Sequence, residues 1–558
     1  MKTLTGVAAS PGTAVAPAYV YRPGAYTLPS EPATDVDKAI GEVAIVLDSV
    51  GSDLDEAARQ ASGAASDILK AQAAMARDPA LRDRTGEEIR SGTPTARAVL
   101  AAGERFAAEL EETGNAYLAA RGPDVRHICD LAARMLADAP PRTPPRPTTP
   151  CILVAEDLTP SDTTGLDPRL VRAIATSQGS TSSHTTVVAR GLGIPAVVGI
   201  GGLLDEVAEG DTVGVDGATG NVIVSPSPSV IEELRATGEA EQVRKAVLRK
   251  AAGTGPTATA DGHLVEVAAN VRSLKEVGAA LAAGAEAIGL LRTELLYIGR
   301  NRPPMEEEQV ALLREIHREL AGRRLVVRTF DIGSDKPARF LPARPEHNPE
   351  LGVRGIRLAR EHPDLIRTQL RAVARVADLG PTAVMAPMVA TADEARWFVQ
   401  QARAAGVPAS VEVGVMAEVP SLAITASEIA PEIAFFSIGT NDLTQYLFAA
   451  DRRHPGLAAL QDRFQPALLR AVAAICRGAG DRWVGVCGEA ASDPAWALLA
   501  VGLGVTELSM QAIAIAEVRV ALRATRLDRC REAAERALQA RDVEDVRAIA
   551  YGLLEEAS

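Results

Sequence analysis

The chain has 558 residues, 47% of them hydrophobic and 23% charged, a balance that excludes a disordered chain. No apolar run is long enough for a membrane-spanning helix; the longest, from Ala495 to Val505, reads as a buried helix. With 59 Lys and Arg against 72 Asp and Glu, the net charge of −13 argues against broad nucleic-acid binding, and against an anionic substrate unless basic residues gather locally.

The opening MKTLTGVAASPG lacks the apolar core of a signal peptide, so the reading is a cytoplasmic protein with no direct membrane insertion. Residues Thr5 to Tyr21 alternate like strands, with Gly6, Pro11 and Gly12 as turn signals. From about Glu31 to Asp138 apolar residues recur at three- and four-residue steps, which predicts helices. Pro79, Gly92-Thr93-Pro94 and Gly122-Pro123 break that stretch into several. A Pro-rich joint, PPRTPPRPTTP, runs from Pro140 to Pro150 and is expected to be extended.

Beyond the joint, CILVAED, LVRAIAT, IPAVVGI and TVGVDGATGNVIV predict strands, with a helix over TTVVARGLG. This small α/β unit is the nearest sheet for the opening strands to join, which makes the helical block an insertion. One long polar helix, SVIEELRATGEAEQVRKAVLRKAAG, follows and ends at Gly253 and Pro256. The expected domains are therefore an α/β domain over 1–22 and 146–226, a helical insertion over 23–145, a linker helix over 227–256 and a large domain over 257–558.

In that last part eight apolar strands alternate with helices: LVEVAAN, AEAIGLL, RLVVRTF, AVMAPMV, VEVGVMAEV, IAFFSIGT, VGVCGE and TELSM. Eight β/α units in one stretch predict a (β/α)₈ TIM barrel, whose active site lies at the C-terminal strand ends. Strand two runs into Arg292, Thr293 and Glu294; strand three carries Arg328, then Asp331, Gly333, Asp335 and Lys336. Strand five ends in Glu418, strand six in Gly439-Thr440-Asn441-Asp442, and strand seven in Cys487, Gly488 and Glu489. Strand four ends blandly, in Met385-Ala-Pro-Met388. Two arginines can bind phosphate or carboxylate bidentately. Glu418 and Asp442 are hard oxygen ligands suited to Mg²⁺. Asn441 can donate to an anion, and Cys487 can give up a proton, a free thiol having a pKa of about 8.5. Each residue alone has a duller reading as a surface charge, a helix cap or core filler. Five of eight strand ends carrying the set point to phosphoryl or enolate chemistry.

A second candidate is His184, in SQGSTSSHTTVVARGLGIP, at the start of an apolar helix whose free N–H groups favour negative charge. A histidine there can accept a phosphoryl group. The alternative is that Ser and Thr merely cap the helix and His184 is incidental. Among the other histidines, His127 lies on a helix, His317 on a polar helix face, and His454 follows Asp451-Arg452-Arg453 just beyond the strand-six site.

Taken together, LTGVAASPG, GLLRTELLY, VVRTFDIGSDK, NPELGVRGIRL, FFSIGTNDLTQYLFAADR and VGVCGEAASD resemble enzyme I of the bacterial phosphoenolpyruvate-dependent sugar phosphotransferase system, over nearly the whole chain. The resemblance implies transfer of the phosphoryl group of phosphoenolpyruvate (PEP) to His184, then to a histidine of the carrier HPr, with release of pyruvate. It implies that Arg292, Arg328, Arg452 and Asn441, with Arg354, hold PEP, and that Glu418 and Asp442 bind Mg²⁺. Cys487 would protonate the enolate carbon, and Thr163, in LTPSDT, would orient the His184 ring. The N-terminal α/β region would be the phosphohistidine domain, swinging between barrel and carrier, and the helical insertion would dock HPr. A homodimer through the barrels is also implied. The docking block carries 20 acids and 12 bases over residues 31–140, so much of the net negative charge falls there.

The sequence departs from the family pattern in places. The histidine loop reads Gly179-Ser180-Thr181-Ser182-Ser183-His184 where the family has Gly-Gly-x-Thr-Ser-His. Gly333-Ser334-Asp335-Lys336 replaces Gly-Gly-Asp-Lys, Asp451-Arg452-Arg453-His454 replaces Asp-Arg-Gly-Asn, and Ala490-Ala491-Ser492-Asp493 replaces Leu-Ala-Gly-Asp. Two rivals stand beside this reading. One is a catalytically impaired regulator that still binds HPr, which the altered loop motivates. The other is a related PEP or pyruvate phosphotransferase, which would need an ATP-binding domain that the short helical block before Pro140 does not supply.

Overall fold

A computed structural model describes the chain except residues 23–25, 61–63, 113–120, 140–143, 164–165, 180–182, 254, 298–299, 301, 335, 337, 339, 343–345, 453 and 557–558. At some further positions, His184 among them, only the backbone is described. The chain divides into two units, Met1–Lys245 and Ala246–Ser558, a division that falls inside one long helix.

In the first unit, β1 (Lys2–Thr5), β2 (Val7–Ser10), β3 (Thr13–Tyr21), β4 (Cys151–Ala155), β5 (Val171–Thr176), β6 (Ala196–Val198), β7 (Thr212–Asp216) and β8 (Asn221–Val224) form one mixed sheet. Its order is β1-β8-β7-β3-β4-β5-β6-β2. Strands β3 to β6 are parallel neighbours, and the others attach antiparallel. The central strands are covered on both faces, as parallel strands require. Ile152, Val154, Ala173 and Ala175 face one core, whereas Leu153, Ala155 and Ile174 face the other. The β7–β8 hairpin turns where Asp216 Oδ1 accepts the N–H groups of Ala218 and Thr219, at 3.0 and 3.2 Å, and Gly220 takes φ +78°.

Between β3 and β4 run α1 (Val36–Gln60), α2 (Ala64–Ala76), α3 (Pro79–Arg90), α4 (Thr95–Glu112) and α5 (Gly122–Leu136). The expected breakers begin helices rather than merely end them. Pro79 occupies the first turn of α3, behind Asp78 whose side chain accepts from Ala80 N, and Pro123 the first turn of α5. The bundle has its own core, centred on Leu47, Leu69, Leu81, Val99 and Ile128 and separate from the sheet's two cores. After β5 comes α6 (His184–Leu192), capped by Ser183 and ended by Gly193 at φ +68°. Beyond β8, α7 (Pro228–Ala252) is the expected long polar helix. The Pro-rich joint lies partly outside the described residues.

In the second unit the eight predicted strands close a parallel barrel: β9 (Glu266–Val271), β10 (Ala287–Arg292), β11 (Leu325–Arg328), β12 (Thr382–Ala386), β13 (Glu412–Ala417), β14 (Phe435–Ile438), β15 (Trp483–Val486) and β16 (Glu507–Met510), which pairs back with β9. Side chains alternate across the wall. Leu290, Val326, Met385, Met416 and Phe435 fill the interior, while Ile288, Val327 and Val384 pack outward. The apolar run at Ala495 forms α8 (Pro494–Gly502), buried throughout its centre and capped by Asp493, whose Oδ1 accepts from Ala495 N at 3.0 Å.

His317 departs from its expected polar face. It is 4% exposed, and its Nε2 lies 3.1 Å from Thr382 Oγ1. Burial lowers its pKa. The helix around it is amphipathic, and His317 sits on the side turned to β12. Among the described residues no helix is long and apolar enough to cross a membrane.

Candidate active site

Strand register brings the chemical residues together. Arg292 and Arg328 end β10 and β11 and are paired neighbours in the ladder. Glu418 and Cys487 directly follow β13 and β15, and Asn441 and Asp442 open the short helix Thr440–Leu447 after β14. All six line a cavity of about 450 Å³ at the C-terminal strand ends, with Arg452 exposed on its rim. Arg292, Arg328, Asn441, Asp442, Arg452, Glu418 and Cys487, separated by up to about 195 positions in sequence, thus share one mouth.

The two barrel arginines differ in charge state stability. Burial works against the Arg328 cation, but Glu294, Asp331 and Glu418 more than offset it and hold its pKa above the ordinary value. Arg328 Nη2 donates to Glu294 and lies 3.6 Å from Asp331 Oδ2. For Arg292 burial and then the neighbouring Arg328 push the pKa down. Its Nε is buried without a hydrogen-bond partner among the described residues. An anion entering the cavity would relieve that repulsion, and a planar guanidinium matches phosphate or carboxylate.

Glu418 and Asp442 form the complementary pair, 1% and 8% exposed. Burial, then the Asp442 charge, pushes Glu418 up to about 8. Met388 N–H donates to Glu418 Oε1 at 2.7 Å, while Asp442 Oδ1 is buried without a hydrogen bond among the described residues and lies 3.6 Å from Arg452 Nη1. Two neighbouring hard carboxylates with an unsatisfied oxygen fit a Mg²⁺ ion whose shell is completed by substrate and water. Among the described residues no cluster of three His, Cys, Asp or Glu could hold a metal without such help.

Cys487 is 3% exposed, and burial, with the Glu418 charge, pushes its thiol up to about 11. The thiol therefore stays protonated near neutrality and donates to Ile438 O at 3.6 Å. Asn441 Oδ1 accepts Glu489 N–H at 3.0 Å, which leaves the amide NH₂ for a ligand. Gly488 is required between them, because a Cβ there would meet Thr440 Oγ1 at 1.8 Å.

Arg354, expected to hold substrate, is engaged with a carboxylate beside the cavity. It is fully buried, does not line the cavity, and grips Asp331 through Nε at 3.2 Å and Nη2 at 2.7 Å. Lys336 Nζ adds a contact to the same oxygen at 3.1 Å. Burial opposes the Asp331 charge, but Arg354, Lys336 and Arg328 together hold its pKa well below the usual carboxylate range. Asp331, which itself lines the cavity, is therefore a buried anion that ties three cations together. Sequence reasoning noted it only as a loop residue; its signal was a charged side chain three positions past a strand end. Met388 left no such signal. It ends the strand read as bland, yet takes φ +62° and fixes Glu418 by its backbone. The neighbouring Asp335 and Arg453 lie outside the described residues.

In the first unit, β5 leads through Gly179, at φ +113°, to Ser183 and the backbone start of α6 at His184. Ser180, Thr181 and Ser182, the substituted loop positions, lie outside the described residues, as does the His184 side chain. Thr163 ends the single helical turn Pro160–Thr163 and is buried. That turn is pinned by Asp162, which accepts from Tyr21 OH at 2.6 Å and from Thr159 Oγ1 at 2.7 Å. Thr185 Oγ1 donates to Leu158 O at 3.4 Å, linking the α6 N-terminus to the same segment.

A barrel mouth lined by arginines, a buried carboxylate pair and a protonated thiol is suited to phosphoryl or enolate chemistry, and three family models agree with that class of enzyme. They are the PEP-utilising enzyme N-terminal region over residues 5–121, the mobile domain over 147–220 and the PEP-binding domain over 247–527. The chain is 41% identical to the phosphoenolpyruvate-protein phosphotransferase of Streptomyces coelicolor, covering 99% of each chain. It is 36% identical to that of Staphylococcus carnosus, covering 98% of each. It also matches the multiphosphoryl transfer protein of Rhodobacter capsulatus at 38% identity, over 98% of this chain and 67% of that one. The chain belongs to the phosphoenolpyruvate-protein phosphotransferase family.

Proposed function

We propose that this protein is a phosphoenolpyruvate-protein phosphotransferase that moves the phosphoryl group of PEP to His184 and then to a histidine of HPr, releasing pyruvate. The observation that carries the reading is the single cavity holding Arg292, Arg328, Glu418, Asn441, Asp442 and Cys487.

Phosphoryl transfer needs little covalent help and much neutralisation of the equatorial oxygens. Arg292 and Arg328 meet the phosphoryl and carboxylate groups of PEP, and Asn441 donates from its free NH₂. Arg452 closes the rim. Glu418 and Asp442 hold Mg²⁺, which supplies further charge neutralisation when bound. His184 is the nucleophile, with Thr163 orienting its ring. Cys487, kept protonated by burial, gives its proton to the methylene carbon of the enolate. Formation of keto pyruvate draws the transfer forward. Arg354 acts on substrate through Asp331.

The nucleophile and the PEP cavity belong to different units, so the reaction requires the first to reach the second and then the carrier. We assign that motion to the segment around α7 and Gly253–Pro256. The acidic helical block α1–α5 is the HPr dock, the barrels form a homodimer, and the protein works in the cytoplasm.

The test is pyruvate release. Purified protein given PEP and Mg²⁺ should release about one pyruvate per active site in a burst, abolished by a chelator, and should turn over only when HPr is added. Steady pyruvate formation without carrier, or none with it, contradicts the proposal.

A further inference from the structure

The backbone of Cys487 is held from two sides, at its N–H and at its carbonyl, and one holder lies outside the cavity. On one side, Cys487 N–H donates to Ile438 O at 2.9 Å, continuing the pairing of β15 with β14. On the other side the pairing of β15 with β16 stops at Val486 and Leu508. The Cys487 carbonyl is therefore the first group beyond that ladder. Its partner is a side chain: Asn270 Nδ2, from β9, donates to Cys487 O at 2.9 Å.

Asn270 is itself ordered. Ser509 on β16, fully buried, donates from Oγ to Asn270 Oδ1 at 2.7 Å. An amide oxygen only accepts, so this bond turns the NH₂ of Asn270 toward Cys487. The serine has little freedom, because β10 closes behind it: a Cβ on Gly289 would come within 2.6 Å of Ser509 Oγ. The chain Ser509–Asn270–Cys487 thus crosses the seam where β9 and β16 close the barrel and ends on the residue that bears the acid.

We propose that Asn270, ordered by Ser509, is a positioning residue for the proton-transfer half of the reaction. The proposal rests on the phosphotransferase reading above. In that reaction the PEP oxygen–phosphorus bond breaks, a phosphorus–nitrogen bond forms at His184, and pyruvate enolate remains. The enolate electron pair then takes the Cys487 proton: the S–H bond breaks, a C–H bond forms at the methyl carbon, and water reprotonates the thiolate. Asn270 does not line the cavity, and among the described residues its side-chain hydrogen bonds go to Cys487 and Ser509 rather than to the arginines. It fixes the 487–488 peptide and so aims the thiol.

The test separates the two halves in the full-length protein. Asn270→Ala and Ser509→Ala are compared with wild type for single-turnover phosphohistidine formation from PEP and Mg²⁺. The same proteins are then assayed for exchange of pyruvate methyl hydrogens in D₂O, read by NMR. Misplacing the acid by about an ångström predicts a roughly 10- to 100-fold loss of exchange, with phosphohistidine formation within about threefold of wild type. Asn270→Asp should regain exchange as pH falls, because only a protonated carboxyl can donate to the Cys487 carbonyl. Equal loss of both readouts in the Ala variants, with no pH-dependent recovery in Asn270→Asp, would show a merely structural role and overturn the proposal; so would the loss of neither. Failure of wild type to form phosphohistidine is a different result and would instead sink the underlying reading.

Discussion

Met388 and Glu418 are joined by one main-chain hydrogen bond, Met388 N–H to Glu418 Oε1 at 2.7 Å, and Met388 adopts the left-handed φ of +62° to make it. Gly355, at φ +56°, packs against that strained residue, and a Cβ there would lie 3.1 Å from Met388 Cβ. Strained backbone of this kind persists where the surroundings over-determine it, commonly at functional sites. Gly355→Ala should cost about 1–3 kcal/mol of barrel stability and should raise the Mg²⁺ concentration needed for half-maximal activity. Denaturant unfolding and a Mg²⁺ titration check both; an unchanged Mg²⁺ requirement would separate Gly355 from Glu418.

Asp331 predicts an acid-limb effect. Its folded pKa is held well below the ordinary value, so the unfolded chain binds the proton first as pH falls. The stability it contributes is complete above the unfolded carboxylate range near about pH 4 and is lost as pH drops through the folded pKa. Asp331→Asn should flatten this limb and cost about 3–5 kcal/mol at neutral pH, because Arg354 would be left buried without its anion. Chemical denaturation from pH 3 to 7 measures both.

Much of this architecture is legible in the sequence. All eight barrel strands are readable, because strands buried on both faces leave apolar runs that a helix period does not fit. The cavity residues are readable as a set because a barrel gives every strand end the same address. Partnership between side chains is not readable. Arg354 carries the same charge whether it faces substrate or Asp331, and only the fold decides. His317 looked polar because hydropathy assigns a residue one value in every setting. Met388 could not be found at all, since its contribution is a backbone N–H that every residue but proline has.

Cys487 should be a slow thiol. With its pKa pushed up to about 11, about one molecule in a thousand is ionised at pH 8. Alkylation by iodoacetamide, followed by site-resolved mass spectrometry, should be sluggish at pH 8 and accelerate about tenfold per pH unit as pH rises. Fast labelling at neutral pH would mean a thiolate and would remove Cys487 as the acid.

Arg292→Ala should raise the KM for PEP about 10- to 100-fold, the loss of one or two charge-assisted hydrogen bonds. Arg292→Lys should recover only part of it, since an ammonium cannot bind bidentately. Steady-state kinetics with HPr as acceptor provides the comparison.

If the acidic helical block docks a basic carrier, affinity for HPr should fall as salt rises from about 50 to 500 mM. KM for PEP should respond less steeply, because Arg292 and Arg328 are walled into the barrel, with Arg452 exposed on the rim. Carrier affinity that ignores salt would remove the electrostatic part of the docking assignment.

The central claim is a phosphoryl group carried on His184. Incubation with PEP labelled at phosphorus, in the presence of Mg²⁺, followed by peptide mapping, tests it most directly. The predicted result is one phosphate per chain, acid-labile and base-stable, on the peptide containing His184 and absent in His184→Ala. No label on folded wild-type protein, or the same label in His184→Ala, would contradict it.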